Sequence, residues 1–174
     1  VISRAAEGDL PLVRKLFTEY AEWLNVDLSF QHFAQELATL PGAYEPPAGA
    51  LLIAWAVYRR DDAQISGKTN GDSGRRQADG REAAGCVAMR KLDAVTCEMK
   101  RLWVRPDYRG KGLGRELVRE IVDRARGAGY RRMVLDTLAS MVPAYNLYTS
   151  CGFREIEAYY NNPLPNAVYL GREF

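Results

Sequence analysis

The residues best able to do chemistry lie in one run, Val104-Arg105-Pro106-Asp107-Tyr108-Arg109-Gly110-Lys111-Gly112-Leu113-Gly114-Arg115. A strand-like apolar segment enters it and a helical pattern leaves it. Its glycines let main-chain N–H groups approach an oxyanion without Cβ interference, and the unpaired amides and positive dipole of a first helical turn favour negative charge. A phosphate or pyrophosphate is the guest such a loop suits. Two common nucleotide motifs do not fit. Walker A needs Ser or Thr after its lysine, but Gly112 follows Lys111; the dinucleotide fingerprint needs a further glycine three positions on, where Arg115 and Leu117 stand. Alone, the loop can also be read as a tight turn onto a surface helix.

Other reactive side chains form weaker patterns. Cys86, Cys97 and Cys151 are odd in number and lack C-x-x-C spacing, and His32 is the only histidine, so a disulfide framework and a Cys/His zinc site are not expected. Cys86 and Cys97 fall inside apolar strand patterns and read as core rather than as nucleophiles. Among the aromatics, Tyr20, Trp23, Phe30 and Tyr44 lie in or after the first two helical segments and the helical ones read mostly as core, whereas Tyr159-Tyr160-Asn161-Asn162 reads as a polar aromatic loop able to contact a substrate.

The elements that must position these residues follow from periodicity. Asp9 is a plausible N-cap for a helix with Pro11 in its first turn, with Leu12, Leu16, Tyr20 and Trp23 or Leu24 recurring to about Asn25. Ser29 could cap a second helix in which Phe30, Phe33, Leu37 and Leu40 share a face until Pro41-Gly42. Ala50 to Tyr58 reads as a buried strand, and residues Arg59 to Glu82, polar and punctuated by glycine, as a long loop insertion. Ala83 to Leu92 and Thr96 to Val104 are the next strands. From Gly112 the period becomes helical, with Leu113, Leu117, Val118, Ile121, Val122 and Ala125 in one stripe ended by Gly127 and Gly129. Arg132 to Thr137 is a strand, Ser140 caps a helix with Pro143 in its first turn, and Gly152 ends it. Phe153 to Glu157 and Ala167 to Glu173 make a last strand pair. Consecutive strands, then strands alternating with helices, imply a mixed sheet with helices on its faces.

The 174 residues, 47% hydrophobic and 26% charged, suit one globular domain over 1–174. A net charge of +2 gives no whole-chain case for nucleic-acid binding, yet Lys100 to Arg132 holds eleven basic residues against four acidic ones, +7, leaving −5 elsewhere. The longest apolar run, Ala48 to Tyr58, is about half of a membrane span, and the chain opens Val1-Ile2-Ser3-Arg4 with no signal-like segment, so a soluble, cytoplasmic protein without membrane or nucleic-acid partners is expected. The absence of an initiator Met suggests that a few residues precede Val1.

Arg109, Gly112 and Gly114 in the pattern R-x-x-G-x-G, preceded by Leu102-Trp103-Val104 and followed by Ala144-Tyr145-Asn146-Leu147-Tyr148 and Cys151-Gly152-Phe153, closely resemble the GCN5-related N-acetyltransferase (GNAT) family. The opening Ile2 to Leu10 is similar to that family's first strand and helix start. The resemblance implies an α/β (α+β) GNAT fold: a mixed, mostly antiparallel sheet of about seven strands, about four flanking helices, and splayed fourth and fifth strands. It implies acetyl-CoA as co-substrate. Leu102, Trp103 and Val104 would pair with the pantetheine arm, and Arg109, Gly110, Lys111, Gly112, Leu113, Gly114 and Arg115 would hold the pyrophosphate. Tyr148 matches the tyrosine that protonates the departing thiolate, and Glu98 stands where one branch carries its general base. Glu98 also reads as a strand carboxylate paired with Lys100 or an arginine, since a glutamate with an ordinary pKa near about 4.3 is a weak base. Many members carry an asparagine seven residues before the tyrosine; this chain has Met141, and Thr137 or Ser140 would have to serve instead. In the family the region of the first two helices and the late loop, here with Tyr159 and Tyr160, flank the acceptor site.

The resemblance thus implies an acetyl-CoA-dependent N-acetyltransferase acting on a primary amine of a small molecule or peptide by direct attack in a ternary complex. The alternative is a non-catalytic acyl-CoA-binding or sensing module; nucleic-acid binding through the basic segment is a third reading. Family members are often dimers, which makes a homodimer an option that no residue here demands.

Overall fold

The computed structural model describes residues 1–57 and 81–174. Its elements are β1 (Ile2–Arg4), α1 (Leu10–Leu24), α2 (Phe33–Ala38), β2 (Ala50–Val57), β3 (Arg81–Lys91), β4 (Thr96–Val104), α3 (Leu113–Gly127), β5 (Arg132–Leu138), α4 (Val142–Ser150), β6 (Arg154–Glu155) and β7 (Ala167–Glu173). Seven strands form one sheet in the order β1-β2-β3-β4-β5-β7-β6, antiparallel throughout except for the β4–β5 pair. This is the mixed sheet with four helices expected of the GNAT fold.

The central strands are apolar on both faces because both faces are covered. Alternate residues Leu52, Val87, Met89, Cys97, Met133 and Leu135 pack with Leu117, Val118, Ile121 and Val122 of α3. Their neighbours Leu51, Ile53, Trp55, Cys86, Ala88 and Trp103 pack with Val13, Leu16 and Phe17 of α1. The stripe read along α3 is the stripe that is buried.

Local details depart from expectation. Asp9 holds the N-cap position of α1 as expected, but its side chain makes no cap bond to the helix; the carboxylate turns back to accept from the Ala6 amide at 2.9 Å, closing the preceding turn. The second helix is broken into a single 3-10 turn, Ser29–Gln31, and α2, because His32 between them takes a left-handed φ of 55°. Ser140 does not cap α4, since Met141 holds that position with its N–H bonded to Leu138 O at 2.8 Å. Arg81 and Glu82, read as loop, begin β3 by pairing with Val57 and Ala56. The remainder of the expected 59–82 insertion, and Tyr58, lie outside the described residues.

Candidate active site

The site begins with a failure of pairing. β4 and β5 are bonded only through Thr96↔Arg132, Cys97↔Met133 and Glu98↔Val134, while β4 continues against β3 to Val104 and β5 against β7 to Leu138. Beyond Glu98 the two strands therefore separate, and a cleft of about 730 Å³ opens between Met99–Val104 and Leu135–Leu138.

A bulge accompanies the opening. Cys86 pairs with Trp103 and Ala88 with Lys100, so Val87 faces both Arg101 and Leu102. Arg101 takes a φ of 55°, a left-handed conformation costly for a residue with a Cβ. Tertiary bonds hold it there: its Nε donates to Glu36 Oε1 at 3.0 Å, its Nη2 to Glu36 Oε2 at 2.5 Å, and Tyr44 Oη donates to Glu36 Oε1 at 2.6 Å. Burial pushes the Glu36 carboxyl up, but the bonds and charge of Arg101 outweigh it and hold it below the usual carboxylate range.

The glycine loop closes one end of the cleft. Gly110 and Gly112 have φ of 76° and 80°, and a Cβ on either would meet no atom within 4 Å. They are required by backbone conformation, and the space above them is open. Gly112 occupies the N-cap position of the fifteen-residue α3, no side chain caps that terminus, and Lys111 and Arg115 beside it are exposed. An open cradle of backbone, an uncapped helix start and exposed cations fit a pyrophosphate. Arg109 is exposed but turned onto the strand end: its Nε donates to Val104 O at 2.9 Å, and its guanidinium lies 4.7 Å from the ring centroids of both Trp23 and Trp103.

Leu102, Trp103, Val104, Arg109, Gly110, Gly112, Leu113, Gly114, Arg115, Thr137, Ser140 and Tyr148 all line this cleft. Lys111 stands outside the lining, its Nζ 3.4 Å from Asp107 O. Thr137 Oγ1 is 3.7 Å from the Met141 sulfur, and Ser140 is exposed at the rim. Tyr148 is buried against Phe153, and among the described residues its hydroxyl has no hydrogen-bond partner. Burial, with Tyr20 and Asp136 nearby, pushes its phenol far above the ordinary value.

Glu98 sits apart from Tyr148. It is fully buried, accepts from Arg90 Nε at 2.6 Å and from Tyr159 Oη at 2.8 Å, and lies 3.5 Å from Lys100 Nζ. It lines an adjoining cavity of about 690 Å³ together with Tyr159 and Tyr160. The two tyrosines are half-buried instead of free, because their hydroxyls satisfy carboxylates: Tyr159 that of Glu98, and Tyr160 that of Asp136 at 2.9 Å. Lys100, on the cleft wall, links the two linings through its charge: its Nζ is 3.5 Å from Glu98 Oε1 and 3.3 Å from Asp136 Oδ1. Sequence reasoning passed over Asp136 and Gln31. Asp136 carried a signal, an acid inside the apolar run Met133-Val134-Leu135-Asp136-Thr137.

Cys86 and Cys97 are buried and free, and burial pushes the Cys97 thiol up to about 12, so neither presents a thiolate near neutral pH. Three of the eleven basic residues are committed inside the fold. Lys100 faces Glu98 and Asp136, Arg101 is held by Glu36, and Arg105 makes two 2.8 Å bonds to Glu19.

Comparison with known proteins agrees with this geometry. The model of the Acetyltransferase (GNAT) family matches residues 40–153. An uncharacterised N-acetyltransferase of Schizosaccharomyces pombe is 40% identical over 166 residues, 95% of this chain and 88% of that protein. An acetyltransferase of Streptococcus agalactiae superposes with a TM-score of 0.72 at 19% identity, covering 100% of this chain and 98% of its own. A Salmonella typhimurium protein solved with its cofactor acetyl-CoA superposes at 0.64 with 18% identity, covering 99% and 92%. The chain belongs to the GNAT acetyltransferase family. It is an N-acetyltransferase whose co-substrate is acetyl-CoA. Among the described residues no helix is long and apolar enough to cross a membrane.

Proposed function

We propose that this chain, one domain over 1–174 working in the cytoplasm, transfers an acetyl group to a primary amine of a small molecule or peptide by direct attack within a ternary complex. The observation that carries the reading is Tyr148, a largely buried residue that lines the cleft where β4 and β5 part and whose hydroxyl has no hydrogen-bond partner among the described residues.

Acetyl-CoA supplies the acetyl group as an activated thioester. The chain's own residues supply placement and charge. The amides of Gly110 to Arg115, with Lys111 and Arg115, neutralise the phosphates. The edge of Leu102-Trp103-Val104, released from β5, offers backbone groups to an extended arm and one N–H to polarise a carbonyl. Holding two reactants in line removes much of the entropic barrier, so no covalent enzyme intermediate is needed.

Tyr148 acts on the leaving sulfur. Its raised pKa keeps the phenol protonated, so it donates a hydrogen bond throughout, and complete transfer of its proton is uphill until solvent replaces it. Glu98 enters as the inner carboxylate of the Arg90, Lys100 and Asp136 network, reaching the cleft only through Lys100 and Asp136. Tyr159 and Tyr160 border the acceptor end.

A panel of primary amines and peptide N-termini, assayed by release of free thiol from acetyl-CoA, tests the reading. Amine-dependent release is expected; tight acetyl-CoA binding with no turnover of any amine would instead favour a sensing module.

A further inference from the structure

Two polar groups at the acceptor end of the cleft are not used by the functions above. Asp136, on β5, has a side chain 10% exposed and facing the cleft. Its Oδ1 lies 3.3 Å from Lys100 Nζ, and its Oδ2 accepts from Tyr160 Oη at 2.9 Å and Asn162 Nδ2 at 3.0 Å. A carboxylate offers about four acceptor sites, so one is left. Gln31 reaches the same place from the 3-10 turn before α2. Its Nε2 donates to Tyr160 Oη at 3.4 Å, but its Oε1 is buried without any partner. A buried acceptor left unpaired is a cost that a bound donor would remove. Because Gln31 and Asp136 bond the same Tyr160 hydroxyl, they flank one point of the wall.

Charge decides what this point can hold. Arg90 and Lys100 balance Glu98 and Asp136, so the cluster presents acceptors without net negative charge. An ammonium ion is therefore not trapped there, and a neutral amine can be. A primary amine carries two N–H donors and one lone pair: two acceptors take the hydrogens and leave the lone pair free. The approach is apolar, formed by Tyr20, Leu24, Val26 and Trp23, a residue 48% exposed. The nearby cations Lys100 and Arg101 already face carboxylates, so neither is available for an anionic substituent on the acceptor.

We infer that Asp136 and the Gln31 carbonyl oxygen form the amine-docking site, and that the acceptor is a neutral-bodied primary amine carrying an aromatic or apolar group. This rests on the acetyl-transfer reading. As the C–N bond forms and the C–S bond breaks, the nitrogen becomes acidic and passes one proton to the Asp136 carboxylate, which returns it to water. The sulfur leaves hydrogen-bonded to Tyr148 and takes its proton from solvent through that hydroxyl. Asp136 is then a catalytic residue, and Gln31 a binding one.

The test uses the intact protein saturated with CoA, titrated calorimetrically with 2-phenylethylamine, its N-methyl derivative, L-phenylalanine and spermidine, alongside acetyl-CoA turnover of each. 2-Phenylethylamine is expected to bind, with the other three weaker by about tenfold or more, the secondary amine because it lacks one N–H. Asp136→Asn is expected to lower kcat by about a hundredfold with acetyl-CoA affinity within about twofold, and Gln31→Leu to raise the amine KM by about tenfold with little change in kcat. Circular dichroism confirms folding, and Gln31→Leu, which removes no buried charge, keeps the test decisive should Asp136→Asn unfold. Preference for L-phenylalanine, spermidine or peptides, or Gln31→Leu leaving amine binding unchanged, would overturn the inference while thiol release with those acceptors upholds acetyl transfer. Binding of 2-phenylethylamine with no thiol release from any acceptor would overturn the acetyl-transfer reading, and the Asp136 role with it.

Discussion

Arg101 and Glu36 are joined by two hydrogen bonds across 65 residues of sequence, and that pair ties the left-handed bulge of β4 to α2. The bulge lies on the wall of the cleft, so the shape of the cleft depends on a contact that the strand itself does not make. Arg101 also lies 5.0 Å from the Phe33 ring, within cation–π range.

Glu36→Gln should therefore cost more than an ordinary ion pair. Both side chains are largely buried, and removing one charge leaves the guanidinium uncompensated, a loss of about 3 kcal/mol or more. A fall in Tm of roughly 10 °C is expected for a domain of this size. The KM for the amine should rise further than that for acetyl-CoA, which steady-state kinetics in both substrates will measure.

Gly112→Ala and Gly127→Ala, at the two ends of α3, should behave oppositely. Gly112 has φ of 80°, so a Cβ there costs about 1–2 kcal/mol and projects into space that is open in the protein. Acetyl-CoA affinity should fall by about tenfold, because the amide approach of the loop is obstructed. Gly127 has an ordinary helical backbone and open surroundings, and alanine there should stabilise by about 0.5–1 kcal/mol with unchanged affinity. Calorimetry and thermal unfolding on both variants check the contrast.

Tyr148→Phe should lower kcat by about a hundredfold while leaving acetyl-CoA affinity within about twofold. Since burial pushes its phenol far above the ordinary value, the wild-type kcat profile should show no alkaline limb from this residue below about pH 10. Unchanged turnover would remove Tyr148 from the mechanism.

Stability should be lost at both extremes of pH for identifiable reasons. Burial raises the phenols of Tyr44, Tyr148, Tyr159 and Tyr160 in the fold, with nearby carboxylates adding to it at all four. A raised folded value means the stabilisation is whole below the unfolded value near about 10 and is lost as pH climbs above it. Glu36 is depressed by Arg101, so its share is whole above about 4.3 and is lost as pH falls through its lower folded value. Denaturant titrations across the pH range should show both declines, and Tyr159→Phe should soften the alkaline one.

Much of the fold was legible locally. The segments read as strands at Thr96 to Val104 and Ala167 to Glu173 are strands that form, and the stripe from Leu113 to Ala125 marks the buried face of α3. The glycine loop was legible too, because left-handed φ values at Gly110 and Gly112 are a demand that glycine answers in the chain itself. His32 and Arg101 take the same conformation with ordinary side chains, and nothing in their neighbours announces it.

Short-range pattern along the chain was enough for the periods of the helices and strands, the phosphate-type loop and the family resemblance, since each depends on residues a few positions apart. Which charges were free was settled by three-dimensional packing alone. Arg105 meets Glu19 across 86 residues, Arg101 meets Glu36 across 65, and Tyr159 meets Glu98 across 61. A charged side chain's role depends on what neutralises it, and that is set by sheet register and by the parting of β4 from β5, which bring together groups that no local pattern connects.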